Sequence, residues 1–329
     1  MKERLVYFDI LRGLAIFMVV AIHTFPSLHS ATEGEIFIRQ LLNLAVPLFL
    51  AISGFFLANK QVDSKESYVT FLKKQLPRVY IPVILWSMPL FALAIYHGGS
   101  IVGNLILLLV CGYSIYYFVA VVIQYYLLLP VLQRMAKKLS GEGIISCISI
   151  FSILLVTYIL QFKGIRLPLI LYAGWSPLWM IFFFIGVYLG KRGSRYYSAK
   201  RFALGSILFW GISYVETFYL MSHYGGGVGI KLSSFIYSFL GILFLFSHSV
   251  EQFLSKIKGL TKLGTTFGKY SFGIYLSHCY VIILFDRLIP NWADFPWLFK
   301  WVFVIVLSYI IIKLLDCMLP KLSIYLGLK

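Results

Sequence analysis

The chain of 329 residues is 60% hydrophobic and only 12% charged, and its mean hydropathy is +0.87. Soluble globular proteins carry about 25% charged residues, so the composition excludes a soluble protein and predicts an integral membrane protein. The formal net charge of +17 would indicate nucleic-acid binding in a soluble protein. Here almost no polar domain is available for that contact. We therefore expect no nucleic-acid partner and attribute the charge to cytoplasmic loops and anionic membrane lipids.

Ten stretches of the chain are apolar and long enough to cross a membrane as helices. About twenty residues are needed for one helix to span the hydrocarbon core. The predicted spans lie near residues 6–28, 36–58, 78–97, 115–133, 144–161, 175–190, 202–221, 231–249, 270–289 and 297–319. The apolar piece 101–113 is too short to span comfortably, so we expect a re-entrant or interfacial segment there, with a tilted additional helix as the alternative. These features predict an all-α bundle of about ten transmembrane helices, in a single domain over residues 1–329.

The basic residues of the loops predict the orientation of this bundle. Twenty lysines and arginines, including Arg195 and Lys329, fall in loops on the side of the N-terminus, whereas the other loops hold only Lys163, Arg166 and Lys231. Basic residues are enriched in cytoplasmic loops. We therefore expect both termini to be cytoplasmic, in a multi-pass protein of the plasma (inner) membrane.

The cysteines do not indicate a disulfide framework. All four lie in or at the edges of apolar segments without CxxC spacing: Cys111, Cys147, Cys279 and Cys317. We expect buried free thiols and no metal site.

The first predicted span carries three ionisable side chains, Asp9, Arg12 and His23. Ionisable groups inside a membrane cost several kcal/mol unless they are paired or hydrated. Arg12 and His23 are eleven positions apart, which is nearly three helical turns, so they lie on one helix face roughly 16 Å apart along the axis. We expect this face to point toward the protein interior or a wet cavity.

Each of these residues allows two interpretations. His23 is either a hydrogen-bonded packing residue or a base that takes a proton near neutral pH. Asp9 and Arg12 form an ion pair at i,i+3 spacing, or Arg12 faces an anionic ligand that enters from the cytoplasm.

A second basic cluster precedes the third predicted span. Lys73 and Lys74 are adequately explained as a topology signal, but Arg78 lies between Pro77 and Pro82 at the mouth of the span. A guanidinium group there suits phosphate, from a lipid or from a nucleotide.

Further polar residues within the predicted spans are candidates for supporting or acceptor-side roles: Ser53, Tyr117, Gln124, Glu216 and His278. We expect Ser53-Gly54 to be a point of close helix packing. Glu216 needs a partner or an aqueous path, and His278 suits a second polar wall of a cavity. Tyr117 belongs to a dense tyrosine cluster, interpreted either as interfacial belt and core packing or as stacking platforms for sugar rings.

Several motifs together resemble the acyltransferase-3 family of membrane acyltransferases. Phe8 to His23 resembles the first span of that family, with its R-X10-H spacing, and Ser53 to Leu57 resembles its SGFxL segment. Lys74 to Pro82 is similar to its basic segment, and Gly273 to His278 to its late GIYLxH element. Gln75 stands where the first arginine of the family's RxxR motif would be.

The resemblance implies a ten-helix bundle that transfers an acyl group from cytosolic acyl-CoA, commonly acetyl-CoA, to an acceptor that is often a carbohydrate. It implies His23 as the catalytic base and Arg12, Lys74 and Arg78 as contacts for the coenzyme. We expect Asp9 to have a supporting role beside Arg12. Short relatives of this type resemble proteins of exopolysaccharide synthesis, which suggests polysaccharide-synthesis proteins or a second copy of the chain as partners.

The sequence leaves two other functions open. A polysaccharide exporter, flippase or small-molecule transporter would line its path with intramembrane ionisable residues, although the two halves of the chain show no inverted repeat. A structural membrane subunit leaves the shared face of Arg12 and His23 unexplained.

Overall fold

The computed structural model of the protein describes residues 2–27, 30–192 and 199–328, and all regular structure within these ranges is helical. The α-helices, in chain order, are α1 (Lys2–His23), α2 (Glu33–Leu41), α3 (Ala45–Leu57), α4 (Lys65–Tyr96), α5 (Ile101–Leu109), α6 (Tyr117–Met135), α7 (Leu139–Thr157), α8 (Leu169–Tyr172), α9 (Ser176–Arg192), α10 (Ala199–Tyr224), α11 (Leu232–Leu245), α12 (His248–Lys256), α13 (Lys258–Lys269), α14 (Ser271–Leu288) and α15 (Trp297–Met318). The all-helical prediction is confirmed over these ranges. Arg195, Lys329 and the last residue of the predicted span 6–28 lie outside the described residues.

Seven helical stretches of the described residues are long and apolar enough to cross a membrane. They are Val6–His23, Glu33–Leu57, Lys65–Tyr96, Ser114–Met135, Ser140–Phe162, Ala199–Tyr224 and Trp297–Met318. The pair α11 and α12 forms an eighth if it counts as one span, but it is bent by 70°. The predicted spans 175–190 and 270–289 coincide with α9 and α14, which do not meet this criterion. The number ten and the cytoplasmic termini remain predictions.

The third predicted span begins earlier than expected. Ser64 caps α4, because its hydroxyl oxygen accepts from the Ser67 N–H and its own N–H donates to the Ser67 hydroxyl oxygen. The helix then continues through three internal prolines, one of which is Pro77. The basic segment from Lys73 to Arg78 therefore lies within the helix and not in front of it.

The short apolar piece 101–113 forms α5, which has nine residues. This length is well below what a membrane span requires. Cys111 and Ser114, in the connection between α5 and α6, have φ values of 56° and 47°, in the left-handed region. The hydroxyl of Tyr80 donates to the Leu109 carbonyl oxygen at 2.9 Å and anchors α5 against α4.

Glycines allow two pairs of helices to pack backbone against backbone. A Cβ added at Gly13 would lie 2.5 Å from the carbonyl oxygen of Gly264, at the crossing of α1 and α13. A Cβ at Gly54 would overlap the Phe183 carbonyl, and one at Gly186 would overlap the Ala51 carbonyl, both at the crossing of α3 and α9. The predicted close packing at Ser53-Gly54 is confirmed.

Helix α1 lies inside the bundle. The share of buried residues is 61% over its apolar stretch, against 17% in α4. Two indole N–H groups of α15 donate to carbonyl oxygens of α1, Trp301 to Phe17 at 2.8 Å and Trp297 to Ala21 at 3.0 Å. These bonds hold the end of α1 that carries His23.

The four cysteines are free thiols, but they are not all buried. Cys111 is buried and Cys279 is half-buried, whereas Cys147 and Cys317 are exposed on the surface. The expectation of four buried thiols was therefore wrong. The outer surface of a membrane helix faces lipid, so an apolar neighbourhood in the sequence does not indicate the protein interior.

We expect Gly186→Ala to destabilise the protein by about 1–3 kcal/mol, because the added methyl group overpacks the crossing of α3 and α9. The matched control is Gly211→Ala within α10, where an added Cβ has nothing within 4 Å. That change should be neutral or stabilising, because alanine is the better helix former. Thermal unfolding in detergent measures both variants, and equal midpoints for the two would contradict the packing assignment.

Candidate active site

A cavity of about 510 Å³ lies inside the bundle along the polar face of α1. This volume is within the range of roughly 300–1,000 Å³ that is typical of small-molecule sites. Four of the predicted site residues line it: Arg12, His23, Ser53 and Tyr117. The predicted shared face of Arg12 and His23 is therefore a cavity wall. Neither aspartate nor glutamate occurs among the described lining residues.

Arg12 occupies one end of the cavity. Its Nη1 atom lies 2.9 Å from the Oδ1 atom of Asp9, and each side chain keeps about a third of its surface exposed, 36% and 34%. Its guanidinium carbon lies 5.0 Å from the centre of the Phe56 ring. The i,i+3 ion pair is therefore present, and the same guanidinium still faces the cavity.

His23 lies further along the same wall. It is surrounded by protein, yet its side chain is accessible because it borders the cavity. No hydrogen bond joins its imidazole to another of the described residues. A satisfied packing histidine would have such a partner, so this geometry favours an imidazole that is available for proton transfer.

His278 packs against His23 from α14. The ring centres are 5.3 Å apart, and the planes are tilted by 44°. His278 is fully buried, and its Nδ1 atom lies 3.0 Å from the carbonyl oxygen of Ile274. Because a carbonyl oxygen only accepts, Nδ1 carries the proton. His278 thus lies behind His23 and not among the lining residues.

Arg39 of α2 is a lining residue that we did not single out in the sequence. One of its N–H groups, on Nη1, donates to the Oδ1 atom of Asn43 at 2.7 Å, and its guanidinium carbon lies 5.9 Å from the centre of the Phe25 ring. Arg39 and Asn43 are one helical turn apart in the predicted span 36–58. That polar i,i+4 pair was the available signal.

Lys231 was assigned to an outer loop, but it is fully buried. Its Nζ atom donates to Gln40 Oε1 at 2.6 Å, Thr217 Oγ1 at 2.7 Å and the Gly227 carbonyl oxygen at 2.8 Å. Gly227 has a φ of 105°, which a side chain would strain. The Lys231 contacts hold this glycine-rich turn in the bundle, where Gly227 and Gly229 line the cavity.

The remaining predicted site residues lie elsewhere. Lys74 and Arg78 are exposed on α4, although the next residue, Val79, lines the cavity. Gln124 holds the start of α9, since its amide donates to the Gly174 carbonyl at 2.7 Å and its Oε1 atom accepts from the Ser176 N–H at 3.2 Å. The structure thus brings together Arg12, His23, Ser53 and Tyr117. It leaves the side chains of Lys74, Arg78 and Gln124 outside the lining.

Glu216 has the partner that its position in a span requires, because the Ser233 hydroxyl donates to its carboxylate. It is half-buried and does not belong to the cavity lining. In the part of the chain that the structure describes, no group of three or more His, Cys, Asp or Glu side chains is arranged to hold a metal ion.

Known proteins resemble this chain over most of its length. The family model described as an acyltransferase domain matches residues 5–316. The Bacillus subtilis (strain 168) protein named "Putative membrane-bound acyltransferase YfiQ" is 25% identical over 284 residues, which are 78% of this chain and 73% of that protein.

Two longer proteins match over shorter stretches. The serine/alanine racemase of Enterococcus gallinarum is 34% identical over 140 residues, 40% of this chain and 20% of the racemase. The amino-acid racemase of Enterococcus faecalis is 34% identical over 99 residues, 30% of this chain and 13% of that protein. No solved structure has significant similarity to the chain.

We expect Lys231→Met to destabilise the protein by about 2–4 kcal/mol. The change removes the ammonium donor that the Gln40, Thr217 and Gly227 oxygens share, although Gln40 Oε1 keeps its bonds from Ser213 and Asn43. A hydrogen bond to a charged group contributes about 1.5–3 kcal/mol. The matched control is Lys163→Met at an exposed position, which should be nearly neutral. Thermal unfolding in detergent checks both. If the two midpoints shift equally, the buried contacts of Lys231 do not stabilise the fold.

Proposed function

We propose that this chain, which belongs to the acyltransferase-3 family, is a membrane-bound O-acyltransferase. In this proposal it moves an acyl group, chiefly acetyl, from cytosolic acyl-CoA to a hydroxyl of a cell-surface or exopolysaccharide sugar. The observation that carries the proposal is the geometry of α1. An imidazole without a hydrogen-bond partner among the described residues and a guanidinium line the same cavity, roughly 16 Å apart along one helix.

The donor enters at the Arg12 end in this proposal. Arg12 offers a guanidinium to the phosphates of the coenzyme, and Lys74 and Arg78 on the exposed face of α4 attract the same anion. The flexible arm of the coenzyme then runs along α1, past Ser53, and brings the thioester to His23. The absence of carboxylates from the described lining residues supports an anionic donor.

His23 is the general base of the proposed transfer. The oxygen of the acceptor hydroxyl attacks the thioester carbon, so that a C–O bond forms and the C–S bond breaks. His23 takes the hydroxyl proton and passes it to the departing thiolate. The products are an ester on the acceptor and the free thiol of coenzyme A. His278 supports the His23 ring from behind, and Asp9 holds Arg12 in place.

The acceptor occupies the His23 end. Tyr117, whose hydroxyl has no hydrogen-bond partner among the described residues, lines the cavity together with Tyr172 and Trp179. Aromatic faces match the apolar C–H faces of sugars, which supports a carbohydrate acceptor. Gln124 and Glu216 act from outside the lining, by holding the helices that form it.

We expect His23→Ala to lower acyl transfer by about 10²–10⁴-fold, because removing a general base costs that much. The assay uses purified full-length protein in lipid nanodiscs, radiolabelled acetyl-CoA, and membranes of a source strain that lacks the gene as the supply of acceptor. His97→Ala, at an exposed position outside the lining, is the matched control and should retain full activity. Full activity in a folded His23→Ala variant would exclude this mechanism.

The same assay separates the transferase from the transporter alternative. A transferase releases coenzyme A thiol and labels the acceptor. An exporter or transporter moves its cargo without consuming acetyl-CoA, so a wild-type protein that leaves acetyl-CoA intact would overturn the proposed function.

We expect Arg12→Gln to raise KM for acetyl-CoA about tenfold or more, because a hydrogen bond to a charged group contributes about 1.5–3 kcal/mol. With S-acetylpantetheine, which has no phosphate, the wild type and the variant should have the same KM. Arg134→Gln, exposed on α6, is the control for loss of a surface charge. An equal rise of KM for both donors would show that Arg12 does not recognise phosphate.

A further inference from the structure

We infer that the acceptor is anionic, and that Arg39 binds its carboxylate or phosphate while His23 receives its hydroxyl. This inference rests on the proposed acyl transfer and names the substrate class that the His23 end of the cavity recognises: an acidic sugar, such as a uronic acid, or a phosphorylated sugar.

Arg39 has hydrogen-bonding capacity to spare. A guanidinium group presents several N–H donors in one plane, and a single side-chain bond, from Nη1 to Asn43 Oδ1 at 2.7 Å, uses one of them. None of the carboxylates in the described residues forms an ion pair with it. The side chain is half-buried and lines the cavity. Its remaining donors are therefore available to a ligand.

The charges around this end of the cavity are predominantly positive. Lys231 lies behind Arg39 and contacts only neutral oxygens, one of them on Gln40. Glu216 interacts electrostatically with Lys231, but it accepts its hydrogen bond from Ser233 and is absent from the lining. An interior guanidinium without a paired carboxylate is costly. A bound anion that replaces lost hydration with paired hydrogen bonds offsets this cost.

The position of Arg39 assigns the anion to the acceptor and not to the donor. Arg39 is close enough to interact electrostatically with both His23 and Tyr117, and its guanidinium contacts the ring of Phe25, two residues beyond His23. Arg12, the donor end, lies roughly 16 Å away from His23 along α1. The cavity thus has an anion-binding group at each end, with the imidazole beside the second.

The hydrogen bonds of Asn43, which lies just beyond α2, support a specific site. Asn43 accepts from Arg39 and donates to the Val228 carbonyl oxygen at 3.0 Å and the Ser234 hydroxyl at 3.2 Å. These bonds position Asn43, and its bond to Nη1 orients the guanidinium before a ligand arrives. A planar, pre-oriented guanidinium binds carboxylate or phosphate through two parallel hydrogen bonds, which a lysine at this position does not reproduce.

The test determines the charge of the labelled product. Wild-type protein in nanodiscs acts on the membranes and surface glycans of a source strain lacking the gene, with radiolabelled acetyl-CoA. The labelled glycan is then depolymerised, and its smallest labelled fragments are applied to an anion exchanger at neutral pH. We expect retention. Carbodiimide amidation abolishes retention if the anion is a carboxylate, and phosphatase abolishes it if the anion is a phosphate monoester.

Unretained, neutral fragments would overturn the inference and leave the proposed function intact. A lack of any labelled product would instead overturn the proposed function.

The Arg39 variants test the assigned residue. We expect Arg39→Gln to lower labelling by about tenfold or more at limiting acceptor. Labelling by this variant should recover as the acceptor concentration rises. Arg39→Lys should lose less, because it keeps the charge but not the paired hydrogen bonds. Arg134→Gln is the control. Arg39→Lys keeps the positive charge and a similar size. If its labelling falls by the same factor at limiting and at saturating acceptor, Arg39 acts in the chemical step and the proposed role in acceptor binding is overturned.

Discussion

An arginine and a histidine on one face of an apolar helix cannot be left against lipid, and this constraint organises the bundle. Exposure of such groups to hydrocarbon costs several kcal/mol, so α1 is enclosed by neighbouring helices. Gly13 lets α13 approach its backbone, and the indoles of Trp297 and Trp301 bind its carbonyl oxygens. The face of α1 that carries Arg12 and His23 borders the cavity.

Cations lie in and behind the cavity lining, and the carboxylates near them lie outside that lining. Arg12 is partly neutralised by Asp9, whereas Arg39 and Lys231 contact neutral oxygens. The lining that the structure describes contains the guanidinium groups of Arg12 and Arg39 and no carboxylate. This distribution supports the proposed donor, which carries phosphates, and the proposed anionic acceptor, with His23 as the proposed base between them.

The fold was predictable where apolar length decides it and not where the backbone bends. The spans of α1, α7, α10 and α15 follow from hydropathy, because burying backbone hydrogen bonds in lipid requires a helix of that length. The 70° bend between α11 and α12 and the extension of α4 to Lys65 depend on packing and capping. Composition does not report either feature.

The sequence by itself determined the membrane class, the acyltransferase family resemblance and the shared face of Arg12 and His23, since helical periodicity relates residues that are close along the chain. The tertiary structure alone decided that Arg39 faces the cavity, that Lys231 is buried, and that His278 lies behind His23. These contacts join different helices, and a periodic pattern within one helix contains no information about its neighbours. From the sequence we placed Lys231 in an outer loop, because its bond to Gln40, which lies on another helix far away along the chain, is visible only in the folded structure.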